Sequence, residues 1–136
     1  MRFYSKGDKT YLQKLEETYP SWKIVPIQAK VTAYCPCKIC CGQNAKGITA
    51  SGAKTVDRPY GLAVPREFLH SRIHVPGYLP ESAPLVFWKA DDTGSALEKS
   101  WAGTPKVFHV DVRYKNHDWA TKWGVRYMTV YMLRNP

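Results

Sequence analysis

The sequence predicts an all-β domain, a barrel or sandwich with minor helices. Three observations predict it: short segments of alternating apolar and polar residues, Gly and Pro punctuation between them, and a length of 136 residues suited to one compact core. In chain order, Lys9 to Tyr19 reads as an amphipathic helix, with Tyr11, Leu12, Leu15 and Tyr19 on one face and Pro20 ending it. Residues 1–25 are therefore read as an accessory segment and 26–136 as the domain proper. Ile27 to Tyr34 alternates as a strand, with Ile27, Ala29, Val31 and Ala33 on one face and Gln28, Lys30, Thr32 and Tyr34 on the other. Leu62-Ala63-Val64 and Ile73-His74-Val75 read as short strands broken by Pro65 and by Pro76-Gly77. Leu85-Val86-Phe87-Trp88 reads as an apolar strand running into Asp91-Asp92, which places Asp92 at a strand end. Val107 to Tyr114 alternates again and carries Asp111. Trp119 to Trp123 suits a helical turn stopped by Gly124, and Val125 to Leu133 is a closing strand.

A formal charge of +9 suits a polyanionic partner, yet the Lys and Arg residues are scattered and form no run of five. That distribution argues against nucleic acid and is compatible with acidic wall polymers. No apolar run approaches the roughly 20 residues of a membrane span. Met1 to Lys6 lacks the apolar stretch of a secretory signal, so export by lysis or within a particle, or a trimmed start, is expected.

Two carboxylates carry the candidate chemistry. Asp111 sits between Val110 and Val112, so it points away from their face. If that face lines a cleft shared with Asp92, burial and the second charge would raise one pKa and leave the other group ionised. Glycosidic cleavage needs that pairing, an acid for the leaving oxygen and an anion beside the developing positive charge. His109, two residues before Asp111, shares its face and could hold it or steer its pKa. His70 and His74 are read as surface or packing residues, and His117 as the start of the short helix. Trp88, Trp119 and Trp123 are read as core.

The four cysteines, Cys35, Cys37, Cys40 and Cys41, crowd into one loop. Four thiolates suit a structural zinc or an iron–sulfur site, and two disulfides within the loop, such as Cys35–Cys41 with Cys37–Cys40, suit an exported protein. Both readings stay open, with a loop-shaping role in either.

Motifs from about Lys30 to Leu133 resemble the three-aspartate (3D) domain family, related to the membrane-bound lytic transglycosylase A domain. The matching pieces are Val31-Thr32-Ala33-Tyr34, Gly47-Ile48-Thr49-Ala50-Ser51-Gly52, Leu62-Ala63-Val64-Pro65, Val75-Pro76-Gly77-Tyr78, Ala90-Asp91-Asp92-Thr93-Gly94-Ser95-Ala96-Leu97 and His109-Val110-Asp111-Val112, followed by His117, Ala120 and Trp123-Gly124.

The resemblance implies a six-stranded double-psi β-barrel with short peripheral helices and an open groove for peptidoglycan strands. It implies a lytic transglycosylase acting without a catalytic cofactor at the cell envelope, outside the cell or in a phage particle. Asp92 falls on the family's Asp-Thr-Gly aspartate and is expected to be the acid, with Asp111 as its partner. Thr32, Tyr34, Thr49 and Ser51, with Gly52, Gly94 and His109, are expected to line the groove. Two departures from the family stand out. Pro65 stands where its first aspartate normally lies, and Glu98 to Lys106 are extra residues. These departures make a non-catalytic, expansin-like wall-binding domain or a phage wall-penetrating module the alternative. Trp101, in the extra segment and expected to be exposed, is the candidate for stacking on a sugar.

Overall fold

The computed structural model describes residues 7–35, 49–52, 54–55, 58–79 and 86–134. Helix α1 (Gly7–Thr18) is followed by strand β1 (Lys23–Tyr34), β2 (Gly61–Ala63), a 3-10 turn (Arg66–Phe68), β3 (Arg72–His74) and β4 (Trp88–Asp92). Helix α2 (Ser95–Ala102), β5 (Phe108–Arg113), α3 (His117–Trp123) and β6 (Arg126–Arg134) complete the chain. The six strands form one sheet, paired in the order β1-β5-β2-β4-β3-β6 with β6 returning to β1. The pairs β1–β5 and β2–β4 are parallel and the other four antiparallel. Each strand therefore has a neighbour on both sides over part of its length.

Alternation sets the two faces. Ala29 and Val31 of β1, Leu62 of β2, Val110 and Val112 of β5 and Val130 of β6 fill a common core at 1% exposure or less. Between them, Lys30, Thr32 and Tyr34 alternate to the opposite side of β1, and His109, Asp111 and Arg113 to the opposite side of β5. The long first strand tolerates Pro26 because Lys23 to Gln28 pair with β6 alone, where a missing N–H costs least.

Sequence periodicity located most elements, with several corrections. β1 begins at Lys23, so the sheet starts inside the stretch read as accessory. The strand expected at Leu85–Trp88 instead occupies Trp88–Asp92, so both aspartates are strand residues; Val86 and Phe87 precede it, and Leu85 lies outside the described residues. α1 ends at Thr18, where Thr18 Oγ1 donates to the Lys14 carbonyl at 2.8 Å. Its Leu15 is fully buried against Phe87 and Tyr131, with Leu12, Tyr19, Ile24 and Leu133 around them. Helix α2 has no counterpart in the sequence reading. It carries a single buried residue, Leu97, too little apolar patterning for a helical period to stand out.

α3 forms as expected and starts earlier. Asn116 caps it, its Oδ1 accepting from Trp119 N at 3.0 Å, and Gly124 ends it at φ 70°. Trp123 anchors the helix to the sheet by donating Nε1–H to the Val31 carbonyl at 3.1 Å.

Candidate functional site

Register brings the two carboxylates into one row. Thr32 of β1 lies opposite Asp111 of β5, Asp111 opposite Ala63 of β2, and Ala63 opposite Asp92 of β4. The aspartates thus sit two strands apart, with strands about 4.8 Å from their neighbours and only a methyl group between them. A second row runs Tyr34, Arg113, Gly61.

An irregularity joins the rows. Leu62 pairs with Ala90 and Ala63 with Asp92, so β4 carries one extra residue, Asp91. A regular strand would send Asp91 and Asp92 to opposite faces. The bulge breaks that alternation, and both carboxylates reach side chains from the Asp111 face of the sheet. Asp91 takes a bidentate pair from Arg113, Nη1 to Oδ1 at 2.9 Å and Nη2 to Oδ2 at 2.8 Å. Arg113 Nη1 also donates to Tyr34 Oη at 3.1 Å, and Tyr34 donates its hydroxyl to Asp92 Oδ2 at 2.9 Å. Asp92 Oδ1 accepts from the backbone N–H of Ala50 at 3.0 Å and of Thr93 at 2.9 Å. Burial pushes the Tyr34 hydroxyl well above the usual phenol range, so it stays a donor.

Asp111 is different. Burial, opposed by its hydrogen bond from Thr32 and reinforced by the Asp92 charge, raises it from 3.8 to about 7. Thr32 Oγ1 lies 3.1 Å from Asp111 Oδ1 and 2.7 Å from His109 Nε2, while His109 Nδ1 lies 3.3 Å from Ser100 Oγ on α2. Burial and, second, Lys30 lower the His109 pKa, which favours its neutral form. A neutral imidazole accepts or donates at Nε2 according to tautomer. The Thr32 hydroxyl can accordingly turn to a protonated or an ionised Asp111 without losing a partner.

The other expected residues divide. Thr49 and Ser51 share a 3.0 Å hydrogen bond, and Ser51 N donates to the Asp91 carbonyl at 3.1 Å, so the 49–52 turn lies against the aspartates. Gly52 closes that turn at φ 89°. Gly94 caps α2 and accepts from Glu98 N at 3.1 Å. Trp101 is half-buried, contrary to the exposure expected. Phe68 and Phe108 meet its ring edge-to-face, Lys106 Nζ lies 4.7 Å from its centroid, and its Nε1 donates to Glu67. Trp119, expected in the core, is instead exposed, at 55%. Pro65 is fully buried and opens the 3-10 turn.

Cys35 is buried at the end of β1, its Sγ 3.6 Å from His117 Nδ1, a contact that the helix-start reading of His117 had missed. Cys37, Cys40 and Cys41 lie outside the described residues, and among the described residues no three His, Cys, Asp or Glu side chains gather as a metal site. No described helix is long and apolar enough to cross a membrane. His74 is buried, its Nδ1 2.8 Å from the Val86 carbonyl.

Sequence reasoning missed Arg113, whose alternating place opposite Val110 and Val112 was the available signal. It also missed Gly61. A Cβ there would lie 2.5 Å from Arg113 Nη2 and 3.1 Å from Asp91 Oδ1. Gly61→Ala is expected to cost about 1–3 kcal/mol, because a guanidinium held on all sides cannot retreat. A thermal melt checks this, and an unchanged midpoint would show that the guanidinium has room to move.

These residues define a mostly-β domain carrying one half-buried, pKa-raised carboxylate and one anchored carboxylate in a single row. No protein-family model matches the chain, and no curated protein does.

Proposed function

We propose that the chain is a peptidoglycan lytic transglycosylase built on a double-psi β-barrel, cleaving the β-1,4 bond between N-acetylmuramate and N-acetylglucosamine. One observation carries the reading: Asp111 and Asp92 share a row, and Asp111 is raised to about 7 while Asp92 stands beside it as a charge. A carboxyl of that pKa holds a proton near neutral pH and can also release it, as an acid that later serves as base requires. This reverses the roles expected from the motif, where Asp92 was the acid.

In the proposed reaction Asp111 gives its proton to the glycosidic oxygen as the C1–O4 bond breaks. The Asp92 carboxylate, anchored by Tyr34, Ala50 and Thr93, stabilises the positive charge that builds on the sugar. Asp111, now a carboxylate, takes the proton of the C6 hydroxyl while O6 bonds to C1. A 1,6-anhydromuramate end and a free 4-hydroxyl result, with no water consumed. The row needs no cofactor for this step. The site of action would be the wall itself, with the chain at the envelope, outside the cell or in a phage particle.

Digestion of purified peptidoglycan, read by mass spectrometry, tests the proposal. The expected result is 1,6-anhydro-muropeptides from wild type and none from Asp111→Asn. Retained pull-down on sacculi without anhydro product would reject the enzyme in favour of a wall-binding domain.

A further inference from the structure

A cavity of about 300 Å³ opens where α3 meets β6, away from the carboxylate row. Its size is at the lower end of small-ligand sites. Trp119, Trp123, Tyr60 and Tyr114 supply aromatic walls, and Lys122 and Arg126 supply two cations. Among the described residues no carboxylate lines it, and the ion pair found among them is Arg113–Asp91, on the other network. Neither Lys122 nor Arg126 is thus ion-paired with a described carboxylate.

Both cations lie over indoles, Lys122 Nζ 4.9 Å from the Trp119 centroid and Arg126 Cζ 3.7 Å from that of Trp123. Arg126 is further fixed by Nε donating to the Trp123 carbonyl at 3.2 Å. Gly77, at φ 85°, passes close to it, and a Cβ there would lie 3.5 Å from Arg126 Nη1. The arrangement is therefore preformed: buried Trp123 as floor, Arg126 pinned on it, and exposed Trp119 at the rim.

Tyr60 connects this cavity to a second one of about 310 Å³ bordered by Arg58, Trp88, Lys89 and Asp91. On the other side Tyr114 N donates to the Tyr34 carbonyl at 2.9 Å, and the Tyr34 hydroxyl reaches Asp92. Tyr60 thus lines both cavities, and the second borders Asp91, the residue before Asp92 in the chain.

We propose that this cavity is a docking subsite for a carboxylate-bearing sugar unit of a glycan strand, its ring against Trp119 and its acid group on Lys122 and Arg126. The assignment rests on the glycan reading above. Aromatic faces with cations would also suit a single-stranded nucleic acid. The glycan is favoured because it carries one acid group per two sugars where a phosphodiester backbone carries one charge per nucleotide, so the carboxylates of the row repel it less.

The test is a tryptophan-fluorescence titration in the Asp111→Asn background, which prevents turnover. The probes are a tetrasaccharide of alternating N-acetylglucosamine and N-acetylmuramate, uncharged chitotetraose, a glycerol phosphate oligomer and a single-stranded oligodeoxynucleotide. The acidic tetrasaccharide is expected to bind about tenfold tighter than chitotetraose at low salt. Lys122→Gln with Arg126→Gln should remove that preference, and Trp119→Ala should weaken both sugars. All three side chains are exposed, so unchanged melting curves should accompany these effects. Equal binding of the two sugars, binding of neither, or an unaffected double variant overturns the proposal. Tighter binding of the phosphate oligomer overturns the carboxylate assignment, and tighter binding of the oligonucleotide overturns the glycan. If wild type forms no anhydro product but the titration succeeds, the catalytic reading alone fails.

Discussion

Arg113→Met is expected to lower the unfolding free energy by about 3–5 kcal/mol, measured by urea denaturation at pH 7. The Arg113 side chain is fully buried and that of Asp91 is 5% exposed. All five guanidinium N–H groups are used: Nε on the Arg58 carbonyl at 3.1 Å, Nη1 on Asp91 and Tyr34, Nη2 on Asp91 and the Tyr60 carbonyl at 3.3 Å. Methionine leaves the Asp91 charge buried without its counterion and two carbonyls without their donor. The loss is therefore mainly the penalty on what remains, since an intact buried pair contributes little over a packed apolar one. That logic predicts recovery. Adding Asp91→Asn to Arg113→Met should restore part of the stability, and a double variant no more stable than the single one would refute the account. Arg113→Lys should not substitute, because a point ammonium cannot fork across both carboxylate oxygens.

The second large effect concerns Asp111→Asn. Its folded pKa of about 7 stands above the unfolded 3.8, so the native state holds an extra proton between those values. Stability from this group is fully present below about pH 3.8 and is lost as pH rises through 7. Asparagine cannot ionise, and its carbonyl can still accept from Thr32. The variant should gain on wild type progressively from pH 4 to pH 7 and then hold level. The gain should be on the order of 3 kcal/mol, discounted for the group's partial exposure. Parallel urea titrations at pH 4.5, 6 and 8 would reveal the divergence; a constant difference would mean that Asp111 is ionised across the range. The same substitution is expected to abolish anhydro-muropeptide formation. Greater stability with less activity is the pattern of a residue retained for chemistry.

The pair was partly legible. Asp111 could be read as facing away from Val110 and Val112, because the strand period is two. His109 was read correctly as its neighbour, although the link runs through Thr32. The roles proposed for the pair were not legible, since the proposal rests on burial and on three donors to Asp92 contributed by Tyr34, Ala50 and Thr93. Trp101 and Trp119 were misjudged for a related reason. Indole exposure is set by what packs on the ring, here Phe68 and Phe108 against Trp101 and Lys122 over Trp119.

By itself the sequence determined most of the elements, the faces that β1 and β5 present and the positions of α1 and α3. Periodicity, proline and capping residues act over a few neighbours and can be read locally. Tertiary structure alone decided that four strands align Thr32, Asp111, Ala63 and Asp92. It also decided that one extra residue in β4 turns Asp91 toward Arg113 instead of into the core. Register between distant strands is a property of pairing, fixed by many weak contacts at once, and no single segment encodes it.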